Sequence, residues 1–190
     1  MPLLRPSSTF TLRKVANPTS SIASVITPRQ LRFKSSTMAT DATMRTFFQS
    51  PNFAVIGASN NPDKFGYKVF AWYINHSLPV TPINPTSRAI TYGQESFPTV
   101  SSISALQNPK ETSISIITPP SVTRKTLADA KELGIQSVWM QPGSFDEDVL
   151  SYARDNFKAV VAGTDGSSKA HDGWCILVDG ERGLKGVGKL

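Results

Sequence analysis

A glycine-rich turn follows the first apolar run of the chain and carries residues suited to holding an anion. Gly57, Ala58 and Ser59 come directly after the apolar run at residues 53–56, and a helix-type pattern begins near Lys64. Glycine lets the backbone approach a ligand closely, and the free N–H groups of a helix N-terminus attract negative charge. The turn therefore predicts a binding site for the phosphates of a nucleotide.

This loop departs from the dinucleotide-binding fingerprint G-x-G-x-x-G, which requires a second glycine where this chain has Ser59. The acidic residue that would bind the ribose hydroxyls of NAD about 20 positions further on is also missing. The second strand instead ends at Asn84 and Pro85, with Arg88 close behind. Because Arg88 or Lys64 suits a phosphate on the ribose, the sequence disfavours NAD. NADP, with its 2′-phosphate, and coenzyme A, with its 3′-phosphate, remain as alternatives.

Two further polar turns follow strand-type segments, and both lead toward helices. The first contains Thr118, Pro119 and Pro120, and the second covers residues 141–144. In an open parallel sheet, ligands bind beyond the carboxyl ends of the strands, near the point where the strand order reverses. We therefore expect both turns to lie at the same edge of the sheet as the Gly57 turn.

Groups suited to catalysis are few. His171, Asp172 and Cys175 lie on a glycine-rich stretch, but zinc requires three or four ligands and the sequence has no second such cluster. Cys175 precedes an Ile-Leu-Val run and is expected to face the core, with a thiol role as the alternative. The G-x-S-x-G nucleophile motif and the Walker lysine loop are absent from the sequence. The sequence thus favours binding without catalysis and predicts no metal site.

Short β-branched runs alternate with amphipathic stretches, and this pattern predicts the elements that position the turns. Strands are expected at residues 53–57, 79–84, 113–118, 136–141 and 159–162, and helices at residues 41–48, 64–76, 101–106, 122–133 and 144–156. Ser121 is predicted to cap the fourth helix, and Ser144 with Glu147 to form the capping box of the fifth. Residues 174–178 fit an edge strand or a packing segment. The alternation predicts a single α/β domain, a Rossmann-like open parallel sheet with helices on both faces.

The first 40 residues differ in charge from the rest of the chain. They contain six basic residues and no acidic one, whereas residues 41–190 carry 14 basic and 14 acidic side chains. This composition is typical of a mitochondrial transit peptide and predicts a location in the matrix. A disordered basic tail, or translation from Met38 or Met44, is the alternative, and a start at Met38 would produce a cytoplasmic form. We therefore expect a leader at residues 1–40, a binding domain at 45–183 and a C-terminal tail at 184–190.

Charge and hydropathy also exclude two classes of partner. The balanced charge of residues 41–190 provides no broad positive field for nucleic acid. No apolar run approaches the roughly 18 residues of a membrane-spanning helix, so a membrane is not expected as a partner. A single cysteine excludes an intrachain disulfide. We expect a small-molecule nucleotide ligand, and a monomer or small homo-oligomer.

The polar turns together resemble one family, because four motifs occur in the same order: Gly57-Ala58-Ser59-x-x-Pro62-x-Lys64-x-Gly66, Pro82-Ile83-Asn84-Pro85, Thr118-Pro119-Pro120 and Trp139-x-Gln141-Pro142-Gly143. Over residues 45–183 the chain resembles the small stand-alone CoA-binding proteins, which are related to the CoA-binding domain of the succinyl-CoA synthetase alpha subunit. The resemblance implies a Rossmann-like fold and a CoA-type ligand. It does not extend to ligase activity, because the second domain of the synthetase, with its phosphorylated histidine, has no counterpart in this sequence.

The resemblance also implies which residues bind the ligand. The phosphates are expected to lie on Gly57, Ala58 and Ser59, with Lys64 or Tyr67 nearby. The adenosine is expected beside Pro82, Asn84 and Pro85. The part of the ligand between the strands is expected to be flanked by Thr118, Pro119 and Pro120. The expected function is binding of coenzyme A or an acyl-CoA. The alternatives are an NADP-binding, oxidoreductase-like protein and an interaction module of the same fold that has lost its ligand.

Overall fold

The computed structural model describes residues 41–164 and 168–190, so the predicted leader at residues 1–40 lies outside the described part of the chain. Five helices and seven strands follow one another in the order α1 (Asp41–Phe48), β1 (Asn52–Ile56), α2 (Phe65–Asn75), β2 (Val80–Ile83), β3 (Ala89–Tyr92), β4 (Glu95–Pro98), β5 (Thr112–Ile116), α3 (Pro120–Glu132), β6 (Ser137–Met140), α4 (Glu147–Asn156), β7 (Ala159–Val161) and α5 (Ile176–Lys185). Two short 3₁₀ turns, Ile103–Ala105 and Pro109–Glu111, precede β5. None of these described helices is long and apolar enough to cross a membrane.

Five of the strands form one parallel sheet in the order β2-β1-β5-β6-β7. The register pairs Ile56 at the end of β1 with Ile83 of β2 and with Ile116 of β5, and Ile116 pairs with Met140 of β6. These strands therefore end at one edge of the sheet. The order reverses between β1 and β5, because β2 lies on one side of β1 and all later sheet strands lie on the other. The predicted Rossmann-like α/β fold is confirmed.

Alternate residues of each strand face opposite sides of the sheet, and helices cover both sides. On β1, Phe53 and Val55 belong to a core cluster with residues of α1, α2 and α5. Ala54 and Ile56 belong to a second cluster with residues of α3 and α4. Both faces of a parallel strand are buried in such a sheet, which explains why β1 is apolar along almost its whole length.

Two predicted helix caps are wrong, and in both cases a neighbouring residue starts the helix. Asp146, rather than Ser144, caps α4, and its carboxylate accepts a hydrogen bond from the Val149 N–H at 2.9 Å. The Ser144 hydroxyl instead donates to the carbonyl of Gln141 at 2.7 Å and closes the preceding turn. Helix α3 begins at Pro120 instead of after Ser121, because proline lacks an N–H and fits the first turn of a helix.

The C-terminal region differs most from the sequence-based expectation. The edge strand considered for residues 174–178 is wrong, because α5 begins at Ile176 and continues to Lys185, beyond the predicted start of the tail at residue 184. A Cβ atom at Gly180 would lie 2.4 Å from the Trp72 ring, and one at Gly183 would lie 2.5 Å from the Phe48 ring. Glycine has low helix propensity, so the two glycines that let α5 pack closely also make this segment hard to recognise as a helix from its sequence.

The antiparallel hairpin of β3 and β4 was also missed by the sequence reasoning. Its register pairs Ala89 with Pro98 and Tyr92 with Glu95, around a turn in which Gly93 has a φ of +60°. Each strand has four residues, and most residues of β4 are exposed. Strands of four residues are too short to show a clear alternation of apolar and polar residues.

Candidate functional site

A cavity of about 320 Å³ opens at the carboxyl ends of β1, β2 and β5, where the strand order reverses. We call it the β1–β5 cavity. Its wall combines the turns after the three strands, the 3₁₀ turn before β5 and one side of α3: Ile56, Gly57, Ala58, Ser59, Lys64, Ile83, Asn84, Pro85, Ser101, Ser102, Ile103, Thr118, Val122, Thr126 and Asp129. Open parallel sheets bind ligands at this position, so the cavity is the candidate functional site.

The turn after β1 requires glycine at two positions. Gly57 has a φ of +88°, and a Cβ atom there would lie 3.3 Å from the Thr118 side chain. Gly66, in the first turn of α2, packs against this turn so closely that its Cβ atom would lie 1.9 Å from the carbonyl oxygen of Gly57. The start of α2 therefore lies directly against the turn, and only glycine at position 66 permits this approach.

The backbone of this turn provides hydrogen-bond donors. The Gly57 N–H donates to the carbonyl of Ile83 at 3.2 Å, but the N–H groups of Ala58 and Ser59 donate to no acceptor within the described residues. The Ser59 hydroxyl accepts a hydrogen bond from the Asn61 N–H at 3.1 Å and so stabilises the loop itself. Two unpaired N–H groups beside a helix N-terminus can bind an anion.

Asn84 connects the loops that follow β1 and β2. Its Nδ2 atom donates to the carbonyl of Ala58 at 2.7 Å. Its Oδ1 atom accepts hydrogen bonds from the Thr86 N–H, the Thr86 hydroxyl and the Ser87 N–H. Asn84 thus makes four hydrogen bonds within the protein, and it shapes the wall of the cavity by holding the two loops together.

Asn60 connects the same loop to the β3–β4 hairpin. Its Nδ2 atom donates to the carbonyl of Ala89 at 2.7 Å, and its Oδ1 atom accepts from the Thr91 N–H at 2.7 Å. Sequence reasoning missed this residue because its partners belong to the hairpin, which was not predicted. The loop after β1 is thus held from two sides, by Asn84 and by Asn60.

The third wall of the cavity is formed by the turn after β5 and by α3. The Thr118 and Thr123 hydroxyls lie 3.0 Å apart, and the Thr123 hydroxyl donates to the carbonyl of Thr118 at 2.8 Å. Val122, Thr126 and Asp129 also line this wall and were missed by the sequence reasoning. Their spacing of four and three residues places them on one side of a helix, and this was the signal that could have identified them.

The cavity brings together seven of the twelve residues that the sequence reasoning selected, namely Gly57, Ala58, Ser59, Lys64, Asn84, Pro85 and Thr118. The other five lie outside its wall. Tyr67 is half-buried, with its ring centroid 6.0 Å from that of Tyr92. Pro82 is buried within β2, and Arg88 is exposed just before β3. Pro119 and Pro120 form the start of α3.

A second cavity, of about 550 Å³, lies at the carboxyl end of β6. We call it the β6–α5 cavity. It is bounded by the turns after β5 and β6, the loop before α5 and the first turn of α5: Phe65, Ile117, Gln141, Pro142, Gly143, Lys169, Ala170, His171, Asp172, Cys175, Leu177 and Val178. Cys175 is buried, as expected, and burial raises the pKa of its thiol.

The titratable side chains of the two cavities lie at different depths. Lys64 and Asp129 are the titratable side chains on the described wall of the β1–β5 cavity. His171 and Asp172 are exposed on the rim of the β6–α5 cavity. No group of three or more histidine, cysteine, aspartate or glutamate residues suited to a metal ion occurs in residues 41–164 and 168–190. The arrangement suits the binding of an anionic ligand by backbone donors.

Three solved structures illustrate the similarity of this fold to known proteins. A conserved hypothetical protein from Pyrococcus furiosus is 26% identical, with 59% of this chain and 94% of that protein aligned at a TM-score of 0.51. A hypothetical protein from Pyrococcus horikoshii OT3 is 21% identical over 65% of this chain and 84% of its own, with a TM-score of 0.57. A Thermus thermophilus protein is 24% identical over 65% of this chain and 90% of its own, with a TM-score of 0.55.

A family match covers the part of the chain that forms the β1–β5 cavity. The CoA binding domain matches residues 51–168, a range that includes the Gly57 turn, the Asn84 loop and the Thr118 turn. This range is more than half of the 190 residues. The chain therefore belongs to the family of CoA-binding domains.

Proposed function

We propose that the protein binds coenzyme A or an acyl-CoA in the β1–β5 cavity, without catalysing a reaction of its own. The pyrophosphate lies against the turn after β1, where it accepts hydrogen bonds from the N–H groups of Ala58 and Ser59. The observation that carries the proposal is this pair of donors, which find no acceptor within the described residues beside the closely packed start of α2. The oxygen atoms of a pyrophosphate can accept hydrogen bonds from both of these backbone N–H groups.

Lys64 is the residue we assign to the 3′-phosphate of the ribose. It is exposed at the N-cap position of α2 and is the basic side chain on the described wall of the cavity. Arg88, which the sequence also suggested for this phosphate, lies outside that wall. The adenosine then lies toward Asn84 and Pro85, between the loop after β2 and the 3₁₀ turn at Ile103.

A panel of ligands tests the proposal directly. Thermal unfolding is measured with coenzyme A, acetyl-CoA, NAD and NADP, each at 100 times its dissociation constant where binding is detected. Such an excess adds about 2.7 kcal/mol to the free energy of unfolding, which raises the melting temperature by about 5–11 °C for a domain of this size. Stabilisation by NADP but not by coenzyme A would contradict the proposal. No response to any of the four would favour an interaction module without a ligand.

We also propose that residues 1–40 direct the protein to the mitochondrial matrix. The support is their composition, with six basic residues and no acidic one ahead of a domain whose basic and acidic residues balance. Translation from Met38 would yield a cytoplasmic form of the same domain. N-terminal sequencing of protein from isolated mitochondria and from cytosol distinguishes a cleaved matrix form from a form translated from Met38.

A further inference from the structure

We propose that the β6–α5 cavity holds the pantetheine arm of the ligand and its acyl group, with the Nε2 atom of Gln141 donating a hydrogen bond to a carbonyl oxygen of the arm or the thioester. This inference rests on the proposed function, because the nucleotide half must occupy the β1–β5 cavity. It adds a second binding site that recognises the amide-bearing, acylated end of the ligand.

The two cavities adjoin at two places. Lys64 and Thr118 line the β1–β5 cavity, while their chain neighbours Phe65 and Ile117 line the β6–α5 cavity. Consecutive Cα atoms are 3.8 Å apart, so the walls meet along the first turn of α2 and along the turn after β5. A ligand whose pyrophosphate lies at the Gly57 turn therefore has the second cavity within reach of its flexible arm.

Gln141 lines the second cavity, and its side chain carries a hydrogen-bond donor without a partner among the described residues. The residue is 2% exposed, and its Oε1 atom accepts a hydrogen bond from the Ile176 N–H at 3.1 Å. This bond determines the orientation of the amide, because the reverse orientation would place two donors against each other. The Nε2 atom is buried and has no acceptor within the described residues. A buried amide donor without an acceptor lowers the stability of the folded protein. A hydrogen bond to a carbonyl oxygen of a bound ligand would remove this penalty and so favour binding.

The rest of the cavity matches the chemistry of the pantetheine arm. Phe65 and Val178 expose 55% and 47% of their surface at its edge, and Leu177 is half-buried beside them. The volume of about 550 Å³ lies within the range of small-molecule sites. The arm alternates methylene and methyl groups with two amides, so it needs apolar walls together with a few polar partners. Cys175 adds a thiol that burial keeps protonated, and a protonated thiol does not attack a thioester.

The test compares two glutamine-to-glutamate variants by calorimetry against acetyl-CoA and against adenosine 3′-phosphate 5′-diphosphate, the nucleotide half of the ligand. Gln141→Glu keeps an oxygen that accepts from the Ile176 N–H but replaces the donor with an acceptor. Gln136→Glu is the control, because the Gln136 side chain is exposed before β6, where its Nε2 atom donates to the carbonyl of Gly134 at 3.0 Å. We expect Gln141→Glu to weaken acetyl-CoA at least about tenfold, or 1.4 kcal/mol, and the nucleotide half less than about twofold. Gln136→Glu changes neither affinity.

Other results would overturn the inference in distinguishable ways. Equal losses for both ligands, or no loss for acetyl-CoA, show that Gln141 does not contact the arm. Equal affinity of the unaltered protein for acetyl-CoA and the nucleotide half shows that the arm lies outside the cavity, while the proposed function stands. Failure of the unaltered protein to bind either ligand refutes both.

A second variant keeps the test decisive if Gln141→Glu does not fold. Val178→Glu places a charge at the edge of the cavity, on the first turn of α5, and because Val178 is 47% exposed we expect the variant to fold. It is expected to weaken acyl-CoA more than the nucleotide half, and more strongly as the acyl chain lengthens from acetyl to butyryl. An unchanged affinity for both acyl-CoA ligands would overturn the inference.

Discussion

Replacing Gly66 by alanine tests the close contact between α2 and the turn after β1. The added Cβ atom would lie 1.9 Å from the carbonyl oxygen of Gly57, a distance that forces the backbone to shift. Overpacking typically costs about 1–3 kcal/mol, and the upper end is expected because the obstructing atom belongs to the backbone. At about 2–4 °C per kcal/mol, the melting temperature should fall by roughly 6–12 °C.

Gly93→Ala is the matched control for the glycine substitution. Gly93 has a φ of +60°, and a Cβ atom there would meet nothing within 4 Å. Alanine at this position therefore has only the strain of a left-handed backbone, which lowers the free energy of unfolding by about 1–2 kcal/mol. The melting temperature should fall by about 2–8 °C. Gly66 lacks a positive φ, so any loss at position 66 reports the contact and not the backbone angle.

The two variants differ in their expected effect on the ligand. Moving the Gly57 turn displaces the N–H groups of Ala58 and Ser59, so Gly66→Ala should bind coenzyme A at least about tenfold more weakly. Gly93→Ala should bind it unchanged, because Gly93 lies outside the wall of the β1–β5 cavity. The measurements are calorimetric unfolding and titration calorimetry. A Gly66→Ala protein that melts within about 2 °C of the unaltered protein and binds coenzyme A normally would refute the reasoning.

Three further predictions concern the ribose phosphate, the cysteine and the leader. Lys64→Ala should weaken coenzyme A about 5- to 30-fold and dephospho-CoA hardly at all, whereas Arg88→Ala should change neither; equal losses for the two ligands would show that Lys64 does not contact the 3′-phosphate. Because burial raises the pKa of Cys175, the stability that it contributes is fully present below its usual value of 9.0 and is lost as the pH rises beyond it. Chemical denaturation between pH 7 and 10 should show this decline in the unaltered protein and a smaller one in Cys175→Ala, and identical slopes would contradict the burial. Removal of residues 1–34 should change the melting temperature by less than about 2 °C, and protein from isolated mitochondria should begin between residues 33 and 42; an intact Met1 there would refute cleavage.

The strands of the sheet could be predicted because their patterns are local. Runs such as residues 53–56 are apolar throughout, as buried parallel strands must be, and polar turns separate them from amphipathic helices. All five predicted sheet strands occur, and their ends differ from the predicted ones by two residues at most. The hairpin of β3 and β4 and helix α5 could not be predicted in the same way. Their stability depends on contacts with distant parts of the chain, such as those of Gly180 with Trp72 and of Asn60 with Thr91.

The position of the candidate site at the edge of the sheet could be predicted from the sequence, but the contacts of its individual residues could not. Turns at the carboxyl ends of parallel strands meet at one edge, so Gly57, Asn84 and Thr118 were expected to lie together, and they do. Asn84 was expected to contact the ligand, and the structure shows in addition four hydrogen bonds by which its amide connects two loops. Whether a polar side chain faces a ligand or a neighbouring loop depends on which loop lies beside it.

The sequence by itself determined the α/β class and the polar turns that end the strands, because apolar periodicity and turn chemistry act within a few residues. Only the tertiary structure decided which residues share a cavity. The order β2-β1-β5-β6-β7 brings α3 to the wall of the β1–β5 cavity, whereas Arg88, just before the hairpin, does not belong to that wall. The same order places the Gln141 amide beside α5, 35 residues further along the chain, where its Oε1 atom accepts from the Ile176 N–H and its Nε2 atom has no partner in the described part of the chain. Such contacts arise from strand order and close packing, which no local stretch of sequence encodes alone.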